Sequence, residues 1–277
     1  MTRILRVFPR RTNATPDDEL AWIGDPGLFI PEVDEVHISV AFTYDRTEGE
    51  RLKAAWSEFH PTVKTGGPGM GDRGGEFTPG LYLKPGYVIT SRGCPNKCWF
   101  CDVWKRDGGI RELPITEGWN VLDDNLLACS EKHISEVFGM LREQPHRAAF
   151  TGGLEARRIT REIAMELKRL NPRPIFTAYD SPERAAYVAA AGALLQNAGF
   201  NYEIIRCFVL IGQPGDTLQD AEARLRFVAD AGFMPMAMLY RNGTGNVDPL
   251  WRSFQRLWVR PASIKALLNP GAIRDKI

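Results

Sequence analysis

The 277-residue chain carries 35 lysines and arginines against 34 aspartates and glutamates, and 44% of its residues are hydrophobic. This composition is typical of a globular protein, and the near-neutral charge leaves a membrane or nucleic-acid partner without electrostatic support. The opening MTRILRVFPRR has too short an apolar stretch for a signal peptide, and no run is long enough to span a membrane. We therefore expect a cytoplasmic protein.

Residues 1–85 predict a small α/β region that caps the main domain, either supporting it or closing over its substrate. Their glycine-rich turn lacks the Gly-Lys-Ser/Thr sequence of a phosphate-binding P-loop. The predicted elements are strands at residues 4–8 and 36–40, a helix at 48–56, and a strand from Val63 that leads into a glycine turn ending at Gly71.

Residues 86–242 alternate apolar runs rich in β-forming residues with runs of helical periodicity, at an interval of about 30 residues. That interval is the length of one strand-helix repeat, so the sequence predicts a parallel α/β sheet. Six repeats, rather than eight, favour a partial (βα)6 barrel related to the TIM barrel. The predicted strands lie at 87–90, 119–122, 147–151, 174–178, 204–211 and 235–240, and the predicted helices at 131–142, 160–170, 183–198 and 217–231.

Residues 243–277 predict a helical tail that packs on the barrel. Large apolar residues recur there at helical spacing, which favours a core role over a binding surface. These residues are Trp251, Phe254, Leu257, Trp258 and Val259.

Three cysteines, Cys94, Cys98 and Cys101, follow the first predicted barrel strand at spacings of four and three residues. A structural zinc site needs four protein ligands, and no histidine or further cysteine is spaced as the partner. A disulfide framework fits poorly, because five cysteines in a chain of this length are too sparse. An iron-sulfur cluster with one externally supplied ligand is favoured, and a zinc-bearing or cluster-bearing interaction module stays open as the non-enzymatic alternative.

The run Cys94-x-x-x-Cys98-x-Phe100-Cys101 resembles the signature loop of the radical S-adenosylmethionine (SAM) superfamily. The resemblance implies a [4Fe-4S] cluster on the three cysteines, with SAM chelating the fourth iron and Phe100 beside its adenine. It also implies reductive cleavage of SAM to a 5'-deoxyadenosyl radical that abstracts hydrogen from substrate. The electron would come from a one-electron reductant such as flavodoxin or ferredoxin.

The segment Asp123-Asp124-Asn125 follows the second barrel strand, where parallel strands present their active-site ends. It resembles a motif of some radical SAM enzymes that holds the SAM amino group, which implies a contact from Asp124 or Asn125. A solvated polar turn is the alternative interpretation.

Two later strand ends carry further candidates. After Gly152-Gly153, Glu155 and Arg157 are similar to a charged segment that contacts SAM in related sequences, and a glycine loop with surface charges is the alternative. After the fifth strand, Gly212 begins a Gly-x-Pro-Gly segment which resembles the family loop that packs on adenine.

The N-terminal region resembles a shortened form of the region that precedes the barrel in cobalamin-domain members, but the cobalamin signature Asp-x-His-x-x-Gly is missing. Radical methyl transfer is a competing enzyme class. Cys129 and Cys207 are interpreted as small buried residues. The sequence does not identify the substrate.

Overall fold

The computed structural model of the chain describes residues 2–241 and 247–268, so Asn242 and the last part of the predicted tail lie outside it. These residues form a mixed α/β structure with parallel sheets. The chain divides into two compact units, an N-terminal unit that ends at Gly118 and a C-terminal unit that begins at Trp119. The predicted domain boundary after residue 85 stays a prediction.

The N-terminal unit begins with a four-stranded parallel sheet in the order β2-β1-β3-β4, with one helix, α1. Alternate apolar residues of β1 and β3 point to one face, where Leu52 and Trp56 of α1 join them in a buried core. The order reverses beside β1, as in doubly wound sheets. The elements are β1 (Ile4–Phe8), β2 (Ala21–Ile23), β3 (Glu35–Ser39), α1 (Arg46–Ser57) and β4 (Val63–Gly66).

The opposite face of this sheet is polar and binds a following extended segment. The buried Arg6 donates hydrogen bonds to the carbonyl oxygens of Gly80 and Leu81 at 3.2 and 2.9 Å. His37 Nδ1 lies 2.6 Å from the hydroxyl oxygen of Tyr82. The polar face is therefore covered by the segment around residues 80–82, just as α1 covers the apolar face.

The rest of the N-terminal unit contains short elements only. The strand predicted at 87–90 is present as β5, and the other three were not predicted, because elements of two to four residues carry no readable periodicity. The elements are β5 (Tyr87–Val88), β6 (Ser91–Arg92), α2 (Val103–Arg106) and β7 (Arg111–Glu112).

The C-terminal unit alternates strands and helices in chain order. Strand β8 pairs in parallel with β9, and β10, β11 and β12 form a parallel sheet. Hydrogen bonds of 2.7 Å from Leu154 N to Phe176 O and from Arg173 N to Ala148 O connect the residues on either side of β9 with β10 and the residues just before it. The elements are β8 (Asn120–Val121), α3 (Glu131–Arg142), β9 (Ala149–Phe150), α4 (Arg161–Leu170), β10 (Ile175–Tyr179), α5 (Ala185–Asn197), β11 (Ile205–Ile211), α6 (Leu218–Asp230) and β12 (Met234–Leu239).

Side-chain caps fix where three of these helices begin. Ser130, Thr160 and Thr217 each accept a hydrogen bond from a backbone N–H three residues later, at 3.1 to 3.2 Å. Helices α3, α4 and α6 therefore begin directly after the connections that follow β8, β9 and β11.

The tail folds into two helices, α7 (Pro249–Leu257) and α8 (Pro261–Leu268). Trp258, just beyond the end of α7, is fully buried, and its carbonyl accepts a hydrogen bond from Ala237 N of β12 at 2.9 Å. The described part of the tail is therefore helical and packs on β12. None of the helices within the described ranges is long and apolar enough to cross a membrane.

Candidate functional site

The cysteines lie on a loop of the N-terminal unit that is closed by a narrow neck. Strands β6 and β7 pair antiparallel on either side of the loop, and Cys94 N donates to Gly108 O at 3.0 Å. Gly93 has φ +85°, and a Cβ added there would lie 2.2 Å from Gly109 O. Only glycine fits this position, so the residue before the first cysteine sets the neck.

A buried carboxylate holds the returning half of the loop. Asp107 has a fully buried side chain that accepts hydrogen bonds from Arg106 Nε at 2.7 Å and from Gly74 N at 3.0 Å. Arg111 of β7 donates to Gly74 O. Asp107 could not be predicted from the sequence, because its partner Gly74 is 33 residues away along the chain.

All three cysteines of the loop are half-buried. Cys101 N donates to Cys98 O at 3.2 Å, and Trp104 Nε1 donates to the same oxygen at 2.9 Å, so the backbone between the second and third cysteines is ordered by two bonds. Among the described residues, no three histidine, cysteine, aspartate or glutamate side chains surround one point where a metal ion could bind.

The donor set nevertheless fits an iron-sulfur cluster. Each thiolate of such a cluster binds a different iron, so the three sulfurs need not meet at one point. Thiolates are soft ligands that select iron-sulfur clusters, zinc or copper over magnesium and calcium. Within the loop, Cys94, Cys98 and Cys101 could hold the cluster.

Phe100 lies between the second and third cysteines and packs edge-to-face on Trp99, with ring centroids 5.5 Å apart. Phe100 is half-buried, whereas 54% of Trp99 is exposed. The aromatic residue implied to contact adenine is therefore supported by a second aromatic that faces solvent.

The C-terminal unit brings together three of the residues predicted to contact SAM. Asn125 Nδ2 donates to Glu155 Oε2 at 2.7 Å, and Glu155 Oε1 forms an ion pair with Arg157 Nε. Arg158, which sequence analysis missed, donates from Nε to Glu155 Oε2 at 2.9 Å. We call these four residues the strand-end network, since they follow β8 and β9.

The position of the network follows from the strands before it. Asp123, the first residue of the Asp123-Asp124-Asn125 segment, is buried, and its carbonyl oxygen lies only 2.0 Å from the position that a Cβ at Gly152 would take. The ends of β8 and β9 are therefore in backbone contact. Of the two alternatives at the second strand, Asn125 is buried and joins the network, while Asp124 is half-buried.

The Glu155 side chain is only 7% exposed, and two arginines flank its carboxylate. Arg158 is three residues after Glu155, a spacing that could have revealed it, because the intervening residues form a helical turn at Ala156–Arg158. The arrangement offers hydrogen-bond acceptors beside guanidinium donors, which suits a ligand with amino and carboxylate groups.

Gly212 begins a third polar centre at the end of β11. Its N–H donates to Asp216 Oδ2 at 2.8 Å, and Asp216, with a side chain 1% exposed, pairs with Arg224 at 2.7 Å. A Cβ at Gly212 would lie 2.8 Å from Leu239 and 3.1 Å from Trp251, so this glycine packs on β12 and α7. An adjoining cavity of about 400 Å³ is lined by the loop and the first turns of α6.

The two remaining cysteines, Cys129 and Cys207, are buried. Burial raises the pKa of the Cys207 thiol to about 12. A thiol that holds its proton so firmly is not a nucleophile at neutral pH, which agrees with the interpretation of Cys207 as a core residue.

A comparison with protein-family models gives no match, and a comparison with curated proteins gives none either. Among solved structures, the chain is similar to coproporphyrinogen III oxidase from Escherichia coli, described as a radical SAM enzyme, at 14% sequence identity and a TM-score of 0.39. The match covers 68% of this chain and 51% of that protein, so the chain spans about half the length of the structure it matches. A likeness this weak assigns neither fold nor activity.

Proposed function

We propose that the protein is a radical SAM enzyme. In this proposal Cys94, Cys98 and Cys101 hold a [4Fe-4S] cluster, and SAM occupies the iron that lacks a protein ligand. The observation that carries the proposal is the closed loop, which holds three half-buried thiols and has no histidine among residues 92–111 that could complete a zinc site. When bound, the cluster would supply the electron that cleaves SAM into methionine and a 5'-deoxyadenosyl radical, which abstracts hydrogen from a substrate.

In this proposal the chain's own residues bind the cluster and SAM and orient SAM. The glycine neck and the hydrogen bonds that Cys101 N and Trp104 Nε1 donate to Cys98 O hold the three thiols on one loop before any ligand arrives. Phe100 offers a ring face for adenine. In the C-terminal unit, Asn125, Glu155 and Arg157 are proposed to contact SAM, and their mutual bonds fix the side chains in advance, which lowers the entropic cost of binding.

A partial (βα)6 barrel belongs to the same proposal. The parallel strands of the C-terminal unit follow one another in chain order with α3 to α6 between them, and this order is typical of βα barrels. An external one-electron donor, such as flavodoxin or ferredoxin, is proposed as the partner.

The test is anaerobic reconstitution with iron and sulfide, followed by dithionite and SAM. We expect about four irons per chain, as in a [4Fe-4S] cluster, and 5'-deoxyadenosine as product. Zinc binding without SAM cleavage would instead indicate an interaction module. S-adenosylhomocysteine as a second product would indicate methyl transfer.

A further inference from the structure

The two faces of the sheet formed by β10, β11 and β12 differ in what covers them. Helix α6 packs on one face, where Tyr179 of β10 meets Phe227 with ring centroids 5.3 Å apart. Cys207 and Val209 of β11 are fully buried on that face. On the other face Ala178 of β10 is exposed, and we call this second face the open face.

The open face carries two rows of side chains that the strand register places side by side. Phe176 and Arg206 are partners in one row, and Ala178, Phe208 and Met236 are partners in the next. Side chains at alternate positions of a strand point to the same face, so the two rows lie together. The rings of Phe176 and Phe208 stack across the rows, with centroids 4.8 Å apart and planes that differ by 12°. The open face therefore combines a flat aromatic surface with a guanidinium group.

Arg206 is a half-buried cation without a carboxylate partner. In the described ranges it makes no ion pair, and Glu203, three positions earlier, gives its carboxylate to Lys265 at 2.5 Å. Arg206 donates from Nε to the carbonyl oxygen of Glu203 at 3.2 Å, and its Nη1 lies 4.0 Å from Met236 Sδ. The guanidinium carbon lies 5.8 Å from the centre of the Phe176 ring. Arginine carries five N–H donors, so this guanidinium keeps donors for an anion.

We propose that the open face binds a planar apolar carboxylate, whose ring system packs on Phe208 and Met236 and whose carboxylate pairs with Arg206. Arginine offers two parallel N–H donors, which match the two oxygens of a carboxylate. Small-molecule sites are mostly apolar and use a few polar groups to fix orientation, and methionine adapts to the outline of a ligand. Ala178, with its small exposed side chain, leaves space beside Phe208 for a ring.

This inference rests on the proposed function only for the role of the ligand, which would be the substrate that loses hydrogen. The open face then narrows that substrate to a chemical class. A cationic amine would be repelled by Arg206, and a sugar would leave the phenylalanine rings without an apolar partner. Binding itself needs neither the cluster nor SAM.

The direct test is isothermal titration calorimetry of the full chain with naphthoate and with naphthamide, which differ in the charge of one substituent. We expect naphthoate to bind the wild type about tenfold more tightly, because hydrogen bonds to a charged group are stronger than neutral ones. Arg206→Met should remove this preference, while Arg169→Met, at an exposed arginine of α4, should keep it. Ala178→Leu should weaken the binding of both compounds, because the larger side chain occupies the space beside Phe208.

Naphthoate binding that survives Arg206→Met, equal affinities of the two compounds for the wild type, or no binding of either would overturn the proposal. Thermal unfolding checks that each variant is folded. Ala178→Leu lies at an exposed position, so unchanged affinities there would reject the site even if Arg206→Met did not fold. The titrations use neither iron nor SAM, so they judge the open face even if the protein does not cleave SAM. Formation of 5'-deoxyadenosine without naphthoate binding would uphold the proposed function and reject this site.

Discussion

The cysteine loop and the strand-end network hold their functional groups in different ways. On the loop, the thiols are half-buried and the shape is fixed mainly by backbone groups, through the glycine neck and the hydrogen bonds to Gly108 O and Cys98 O, with Asp107 holding the returning half. In the network, the side chains bind one another, with the Glu155 carboxylate at the centre. Changes to the backbone should therefore damage the loop most, and changes of charge should damage the network most.

The largest effect is expected when a thiol of the loop is removed. Cys98→Ala takes away a proposed cluster ligand, and since changes outside the ligand shell already cost metal sites 10- to 100-fold, the loss of SAM cleavage should exceed about 100-fold. Iron content and 5'-deoxyadenosine formation measure it. Cys129→Ala, at a buried cysteine outside the loop, should keep its iron, and equal iron contents in the two variants would exclude the loop as the cluster site.

The neck provides a test of backbone control. Gly93→Ala forces a side chain into positive φ, which costs about 1–2 kcal/mol, and also into contact with Gly109 O. We expect the loop to open, with faster proteolysis between Gly93 and Gly109 and poor cluster uptake. Gly109→Ala is the matched control, because a Cβ there meets no atom within 4 Å. Similar proteolysis of both variants would show that the neck does not set the loop.

The Asp216–Arg224 pair extends the comparison to a fully buried charge. Asp216→Ala removes the carboxylate that pairs with Arg224, whose side chain is only 14% exposed. The free energy of unfolding, measured in urea, should therefore fall by about 3 kcal/mol. The double variant Asp216→Ala with Arg224→Met should recover part of this loss, because the unpaired charge is gone. A double variant as unstable as the single one would mean that packing, rather than charge, explains the effect.

A smaller effect is expected at Glu155. The Arg157 and Arg158 side chains are 41% and 35% exposed, so water can replace the carboxylate, and Glu155→Gln should cost only about 1 kcal/mol of unfolding free energy. Glutamine can still accept from Asn125. If the network contacts SAM as proposed, the affinity for SAM should fall further than the stability does, and unchanged SAM binding would remove Glu155 from the proposed site.

The loop could be predicted from the sequence more fully than the network, because its residues are close together along the chain. Cys94, Cys98 and Cys101 form a local pattern that is complete within eight residues, so the sequence alone reveals it. Partners that meet through the fold are not readable in this way: Asp107 needs Gly74, and Asn125 needs Glu155, 30 residues away. The strand ends could be predicted, but the contacts between them could not.

The secondary structure shows the same limit. Helix α3 has the predicted bounds, because its apolar face and the Ser130 cap are both written in the local sequence. Strands β8 and β9 are two residues long where four and five were predicted, since the chain turns into polar loops that periodicity does not detect. Strand β2 and the ribbon of β6 and β7 are too short to show any pattern.

The smallest predicted effect concerns a polar arrangement on the N-terminal sheet. Lys64, and after it His37, lower the pKa of the Glu35 carboxyl by hydrogen bonding. The folded pKa lies below the unfolded one, so the carboxylate stabilises the protein above the unfolded pKa of about 4.3, and this stabilisation is lost as pH falls through the folded value. Wild type should therefore unfold at a slightly higher temperature than Glu35→Gln at pH 7, with the difference vanishing toward pH 3. In a Lys64→Met background the difference should shrink, and a difference that grows on acidification would show that Glu35 is not stabilised as a carboxylate.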